Sequence, residues 1–316
     1  MIELTTIEKC PFQPSDGVVC ALGFFDGVHR AHSRIIETCC EQANQRGGAS
    51  VVFTFQNHPS EVLRPEAPAP LLMPYSLKKQ WIETLKPDYL VAVPFTRELS
   101  QTSAETFIQQ SLIHCFHARE IVVGFNFAFG RNREGKPEML QQKSPAEFDR
   151  VTIVEPMSHN GETISSSRIR QSVQTGDLDH AADLLGHPVQ IAGGVIKGDQ
   201  RGRSIGFPTA NIDYSNQLLP PNGVYGVRAR KNSLNADPYW GVMNIGVVPT
   251  FKDQPKRTVE VHLLDFNEDL YGSGLIVDVL ANIRVEQKFD GPQPLIDQIH
   301  RDITAFRQWI KEYIQS

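Results

Sequence analysis

Val18-Val-Cys-Ala-Leu-Gly-Phe-Phe-Asp-Gly-Val-His-Arg-Ala-His32 reads as a short apolar strand that ends at a glycine and leads into a helix. The helical pattern runs from about His32 to Arg46 and closes at Gly47-Gly48, because glycine takes the left-handed conformation that ends helices. The alternation repeats: a strand at Ser50 to Phe55, a helix at Ser76 to Leu85, a strand at Tyr89 to Val93, a helix opened by the capping box Thr102-Ser-Ala-Glu105, and a strand at Glu120 to Gly124. Short apolar strands separated by amphipathic helices predict a parallel sheet with helices on both faces. Ligands of such sheets sit beyond the carboxyl ends of the strands, where Gly23, Asp26, His29 and Gly124 fall.

After a helical stretch from Asp177 to Leu185, Gly186-His-Pro188 breaks this pattern. Beyond it lie β-type runs at Val189 to Lys197, Gly223 to Arg230, Tyr239 to Ile245, Val259 to Leu264 and Leu275 to Ile283, separated by Gly, Pro and Asn turns. Closely spaced strands without intervening helices predict an antiparallel barrel. A last helix carries Ile296, Ile299, Ile303, Phe306, Ile310 and Ile314 at three- and four-residue spacing, a stripe suited to docking on that barrel. Two domains are therefore expected, residues 1–185 and 186–316.

With 316 residues, each half is large enough to bury its own core. No run approaches the roughly 18 apolar residues of a membrane-spanning helix, and Met1 to Phe12 lacks a signal-peptide core. A cytoplasmic protein, a monomer or weak homo-oligomer without a membrane partner, is the expectation. Lys and Arg number 17 against 22 acids in residues 1–186, and 14 against 14 in residues 187–316. Neither half is a basic platform for nucleic acid, so anionic ligands must be held by backbone amides, a few Arg or Lys, and Mg²⁺. The five cysteines, 10, 20, 39, 40 and 115, lack CxxC spacing, which excludes the usual zinc and disulfide frameworks.

Several blocks carry chemistry. His29 and His32 stand three apart at a helix start, where they can donate to a bound triphosphate; a helix cap with an exposed neighbour, or a metal pair, are the other readings. Gly124-Phe-Asn-Phe-Ala-Phe-Gly130 is either a half-buried strand or a glycine-flanked ligand loop. Ile164-Ser-Ser-Ser-Arg-Ile-Arg170 places hydroxyls and guanidinium groups at a helix start, an anion seat or an ordinary serine cap. Gly202-Arg-Ser-Ile-Gly-Phe-Pro-Thr-Ala-Asn211 presents one hydroxyl and one amide oxygen, and Glu260 alternates with Val259 and Val261 to present one carboxylate. Together these supply a metal-phosphate ligand set and a general base.

The Gly202 to Asn211 block and the strand around Glu260 resemble the riboflavin kinase signature, as do Pro220 to Gly226, Gly241 to Thr250 and Asp265 to Gly272. The segments Gly23 to His32, Thr54 to Pro59, Gly124 to Gly130 and Ile164 to Arg170 resemble the adenylyltransferase module fused to that kinase in bacteria. The resemblance implies a Rossmann-like nucleotidyltransferase domain and a six-stranded antiparallel barrel, one enzyme converting riboflavin to FMN and FMN to FAD with ATP and Mg²⁺. It implies that Thr209 and Asn211 ligate the ion, that Glu260 is the base, and that Gly202, Gly206 and Pro208 approach ATP while Asn244 and Phe266 meet the flavin. In the other half it puts His29, His32 and Arg170 on the phosphates and gives Gly23, Phe25, Asp26, Ser166, Ser167 and Arg168 to ATP. Asn57, Asn126, Phe127 and Gly130 fall to the flavin. Ala31 stands where the family has Gly, Asn57 where it has Pro, Asn126 where Asp is common, and Met243 where a smaller residue is usual. Two other readings are a riboflavin kinase with an inactive adenylyltransferase half, and a sensor that binds flavin and ATP without turnover.

Overall fold

Strands β1 (Ile2–Leu4), β2 (Val19–Leu22), β3 (Ser50–Phe55), β4 (Tyr89–Val93), β5 (Glu120–Gly124) and β6 (Arg150–Val154) form one sheet in the order β1-β4-β3-β2-β5-β6. Every pairing in it is parallel. The computed structural model describes residues 1–7, 10–198, 201–248 and 256–315. Two units divide it, residues 1–71 with 78–166 and residues 72–77 with 167–316.

Parallel neighbours require crossovers. In the first unit these involve α1 (Arg30–Arg46), α2 (Pro59–Leu63), α3 (Tyr75–Thr84, of which this unit holds the residues from Lys78 on), α4 (Arg97–Gln101), α5 (Ala104–Thr106, continued as a π-helix over Phe107–Cys115) and α6 (Pro137–Gln141). Central strand β2 is wholly buried, as a sheet covered on both faces demands. The chain leaves β2 toward β3 and β4 on one side and returns to β5 on the other, so the order reverses between β2 and β5. A small hairpin, β7 (Ser158–His159) with β8 (Glu162–Thr163), precedes α7 (Ser166–Thr175).

Three features differ from the sequence expectation. Helix α1 begins at Arg30, because His29 is its cap. The Thr102-to-Glu105 capping box is displaced by one residue: the Ser103 hydroxyl accepts from the Thr106 backbone, and Thr102 instead ends α4. Strands β1 and β6 escaped the pattern reading, β1 being three residues long and β6 only half-buried.

The second unit contains α8 (Leu178–Leu185), β9 (Val189–Ile196), α9 (Arg201–Ser204), β10 (Ala210–Asp213), β11 (Gly223–Lys231), β12 (Pro238–Val248), β13 (Lys256–Leu263), β14 (Gly274–Val285) and α10 (Pro292–Gln315). The strands close a barrel in the order β10-β13-β12-β11-β14-β9, with antiparallel pairing throughout. Helix α10 docks through Phe306, 1% exposed, against Val224, Val242 and Leu264. A Cβ on Gly226 would lie 2.1 Å from the Phe306 ring, so glycine is what admits that ring. Residues 199–200 of the glycine-rich loop and 249–250 of the Gly241 block lie outside the described residues.

Candidate active sites

At the reversal between β2 and β5 a cavity of about 680 Å³ opens, lined by Gly23, Phe25, His32, Asn126, Phe127, Gly130 and Ser166 among others. This is the crevice that doubly wound sheets offer to ligands. Its walls are largely aromatic: Phe24, Phe53, Phe55, Phe95, Phe107 and Phe129 also face it. Phe127 and Phe129 stack with centroids 5.4 Å apart and both line the cavity; beyond Gly124 the block is loop and not strand. Gly130 has φ +72°, and a Cβ there would lie 2.5 Å from the Ala104 nitrogen.

The turn after β2 runs through left-handed backbone at Phe25 (φ 55°), Gly27 (φ 83°) and Val28 (φ 36°). Non-glycine residues reach that region only at an energetic cost. The turn delivers His29 to the N-cap of α1, where its Nδ1 accepts from the His32 backbone at 3.3 Å. An accepting Nδ1 leaves the ring proton on Nε2. The two imidazoles stack at 3.5 Å. Of the three readings of the pair, the cap is thus realised by His29, and His32 faces the cavity. The Ser166 hydroxyl donates to the Asp26 carbonyl at 3.3 Å, tying the turn to the start of α7. Asp26 itself is 2% exposed.

Asn57 does structural work: its amide donates to the Phe95 carbonyl at 3.2 Å and accepts from the Phe95 nitrogen at 2.8 Å, so it clamps the ends of β3 and β4. Exposed Ser167 and half-buried Arg168 and Arg170 lie on α7 in the second unit. Sequence reasoning missed Lys78, a 2% exposed amine on α3 that donates to the backbone at both strand ends of the cavity. Its signal was a lysine on the inner side of an amphipathic helix.

In the barrel, Glu260 of β13 pairs in register with Asn211 of β10 and Asn244 of β12. Val259 and Val261 point into the core at 1% exposure each, which turns the Glu260 carboxylate outward on the face shared with Asn211 and Asn244. Thr209 donates its hydroxyl to Glu260 Oε2 at 3.2 Å. The Thr209 hydroxyl, just before β10, thus meets the Glu260 carboxylate, with Asn211 and Asn244 in register on the two flanking strands. A second cavity of about 380 Å³ lies beside them, lined by Pro208, Thr209, Phe266 and Tyr271 with others. Gly202 accepts from the Phe207 nitrogen at 2.8 Å, and Gly206 holds φ +91°, so both shape the turn leading to Pro208. His262 donates from Nδ1 to the Pro208 carbonyl at 2.8 Å, another contact the sequence did not reveal. Hard oxygen donors of this kind suit Mg²⁺. Among the described residues no group of three His, Cys, Asp or Glu side chains is placed to hold a metal.

Residues 12–168 match the FAD synthetase family model and residues 185–310 the riboflavin kinase model. A bifunctional riboflavin kinase/FMN adenylyltransferase of Bacillus subtilis is 40% identical over 292 residues, covering 90% of each chain. The Listeria monocytogenes protein of the same description is 38% identical, again over 90% of both. A crystal structure described as a macrolide-efflux protein from Streptococcus pneumoniae superposes with TM-score 0.82 at 31% identity, covering 98% of this chain and 99% of that one. Among the described residues no helix is long and apolar enough to cross a membrane.

Proposed function

The chain belongs to the bifunctional riboflavin kinase/FMN adenylyltransferase family, and from that premise we propose how its residues divide the two reactions. Residues 186–316 phosphorylate riboflavin to FMN; residues 1–185 join FMN to AMP, giving FAD and pyrophosphate. Substrates are riboflavin, FMN and ATP. The enzyme works in the cytoplasm as a monomer or weak homo-oligomer.

In the kinase half Glu260 accepts the proton of the riboflavin 5′-hydroxyl as that oxygen bonds to the γ-phosphorus of ATP and the bond to the β-phosphate oxygen breaks, releasing ADP. The observation that carries this assignment is the Thr209–Glu260 hydrogen bond of 3.2 Å, with Asn211 in register beside it. Thr209 and Asn211 would hold Mg²⁺, which supplies charge neutralisation on the triphosphate. Gly202, Gly206 and Pro208 set the backbone against ATP, and Asn244 and Phe266 bound the flavin.

In the adenylyltransferase half the FMN phosphate attacks the α-phosphorus of ATP in line, and pyrophosphate departs. No protein nucleophile is required, so catalysis comes from position and charge. His29, His32 and Arg170 bear on the phosphates, with Gly23, Phe25, Asp26, Ser166, Ser167 and Arg168 shaping the seat. Asn126, Phe127 and Gly130 receive the isoalloxazine, and Asn57 acts through Phe95. The cavity between β2 and β5 supports this reading. Purified protein given FMN, ATP and Mg²⁺ should form FAD, and given riboflavin should form FMN first. Phosphorylation without any FAD would leave the kinase alone standing.

A further inference from the structure

Lys78 is an expensive residue where it stands. Its side chain is buried, and burying an ammonium is unfavourable unless every proton is matched. The neighbouring Lys79 lies at the surface and pairs with Glu3, so α3 turns one lysine outward and the other inward. Nζ of Lys78 donates to the Phe24 carbonyl at 2.9 Å, the Phe55 carbonyl at 2.8 Å and Thr54 Oγ1 at 3.3 Å. The Thr54 hydroxyl gives its own proton to the Phe24 carbonyl at 2.9 Å, so toward the lysine it is an acceptor. Three acceptors need three N–H donors, which an ammonium has and a neutral amine lacks. Nζ also sits 4.1 Å over the Phe24 ring, a cation–π contact. Burial lowers the lysine pKa to about 7, and the charge of Asp26 opposes that shift.

An apolar side chain would satisfy a purely structural role at less cost. What the ammonium adds is a tie between Phe24, just after β2, and Phe55, at the end of β3. Both phenylalanines line the cavity, and the turn beginning at Phe24 leads to the His29 cap. His58 further supports the Phe24 ring edge-to-face at 4.7 Å.

We propose that Lys78 is a positioning residue for adenylyl transfer, fastening the turn after β2 to the end of β3 so that the Phe24 and Phe55 walls stand ready for FMN. This rests on the reading that the β2/β5 cavity receives FMN. Lys78→Met keeps the length of the side chain and removes the donors. It should raise the FMN KM roughly tenfold to a hundredfold, the range for lost charged hydrogen bonds, and leave riboflavin phosphorylation by the same chain within about twofold. An unchanged FMN KM, or a parallel loss of both activities, overturns the proposal. Lys78→Ala provides the second arm. Added n-propylammonium should restore its FMN KM saturably, whereas n-propanol, similar in volume but uncharged, should not. Equal rescue by both, or by neither, also overturns it. Phe127→Ala separates this proposal from its premise: an FMN KM unmoved by Phe127→Ala means that the cavity is not the flavin site, whereas a KM raised by Phe127→Ala and unmoved by Lys78→Met sinks the Lys78 assignment alone.

Discussion

Glu260→Gln isolates proton acceptance from geometry. The glutamine amide oxygen still accepts the Thr209 hydroxyl that now lies 3.2 Å from Oε2, and the pairing of β13 with Asn211 and Asn244 is made by backbone, so the strands keep their register. The side chain is half-buried on the outer face, so substitution leaves no core cavity. What disappears is the carboxylate as base. General bases contribute about 10²- to 10⁴-fold, or about 2.7–5.4 kcal/mol of barrier at about 1.36 kcal/mol per tenfold. Weakening one charged hydrogen bond to a neutral one costs about 1 kcal/mol, so the KM values for riboflavin and ATP should move only a few-fold. The assay is chromatographic separation of riboflavin, FMN and FAD at saturating ATP and Mg²⁺, with FAD formation from supplied FMN as an internal control on the same preparation. A kcat within tenfold of wild type would refute the base assignment. So would FAD formation falling in step with phosphorylation, since that reports damage to the whole chain.

His29→Ala should suppress FAD formation while sparing riboflavin phosphorylation, and it also removes the α1 cap at a stability cost of about 1 kcal/mol; equal loss of both activities in a folded variant would contradict two separate sites. Gly130→Ala forces a side chain into φ +72° with its Cβ 2.5 Å from the Ala104 nitrogen, a cost of about 1–3 kcal/mol, visible as a lower melting temperature with the kinase activity intact at 25 °C. Asp278→Ala removes a carboxylate that is 1% exposed and pairs with Arg228 and Arg230 at 2.8 Å each; stranding two guanidinium groups should cost about 3–5 kcal/mol, read as a shifted denaturant midpoint. For Lys78 the folded pKa of about 7 lies below the unfolded value. Between pH 7 and 8.5 the unfolded chain then binds the extra proton, so this residue's contribution to stability rises with pH. Denaturant titrations of wild type and Lys78→Met should differ by an amount that changes by up to about 1.4 kcal/mol per pH unit in that window; a constant difference would rule out the titration.

The alternation of strand and helix was legible because hydrophobic period and glycine placement report local geometry directly. Gly47 at φ +67° ends α1 where the sequence closes it, and β4 and β5 run over the residues expected. The sixth barrel strand, β10, was hidden: Ala210–Asp213 is four residues long and carries one polar residue of the site, Asn211, on its outer face. A strand that short has too few alternations to register as a period. It is held by partners on both sides, β9, the strand before it, and β13, three strands further along the chain.

The chemistry of the two halves explains which site residues could be read and which could not. In the barrel the proposed base and its neighbours share a face by strand parity: Glu260 opposes Asn211 in the pairing of β10 with β13, so short motifs far apart in sequence still announce a common face. In the parallel sheet there is no base to announce. The site is made by closing strand ends, and the groups that close them are a buried ammonium on Phe24 and Phe55, an amide on Phe95, and a hydroxyl on Asp26. Each acts on a backbone carbonyl or nitrogen, and backbone atoms carry no letter in a sequence. A site whose catalysis is position and charge is therefore the harder one to read, and substitutions at its supporting residues should alter FMN affinity before they alter the bond-making step.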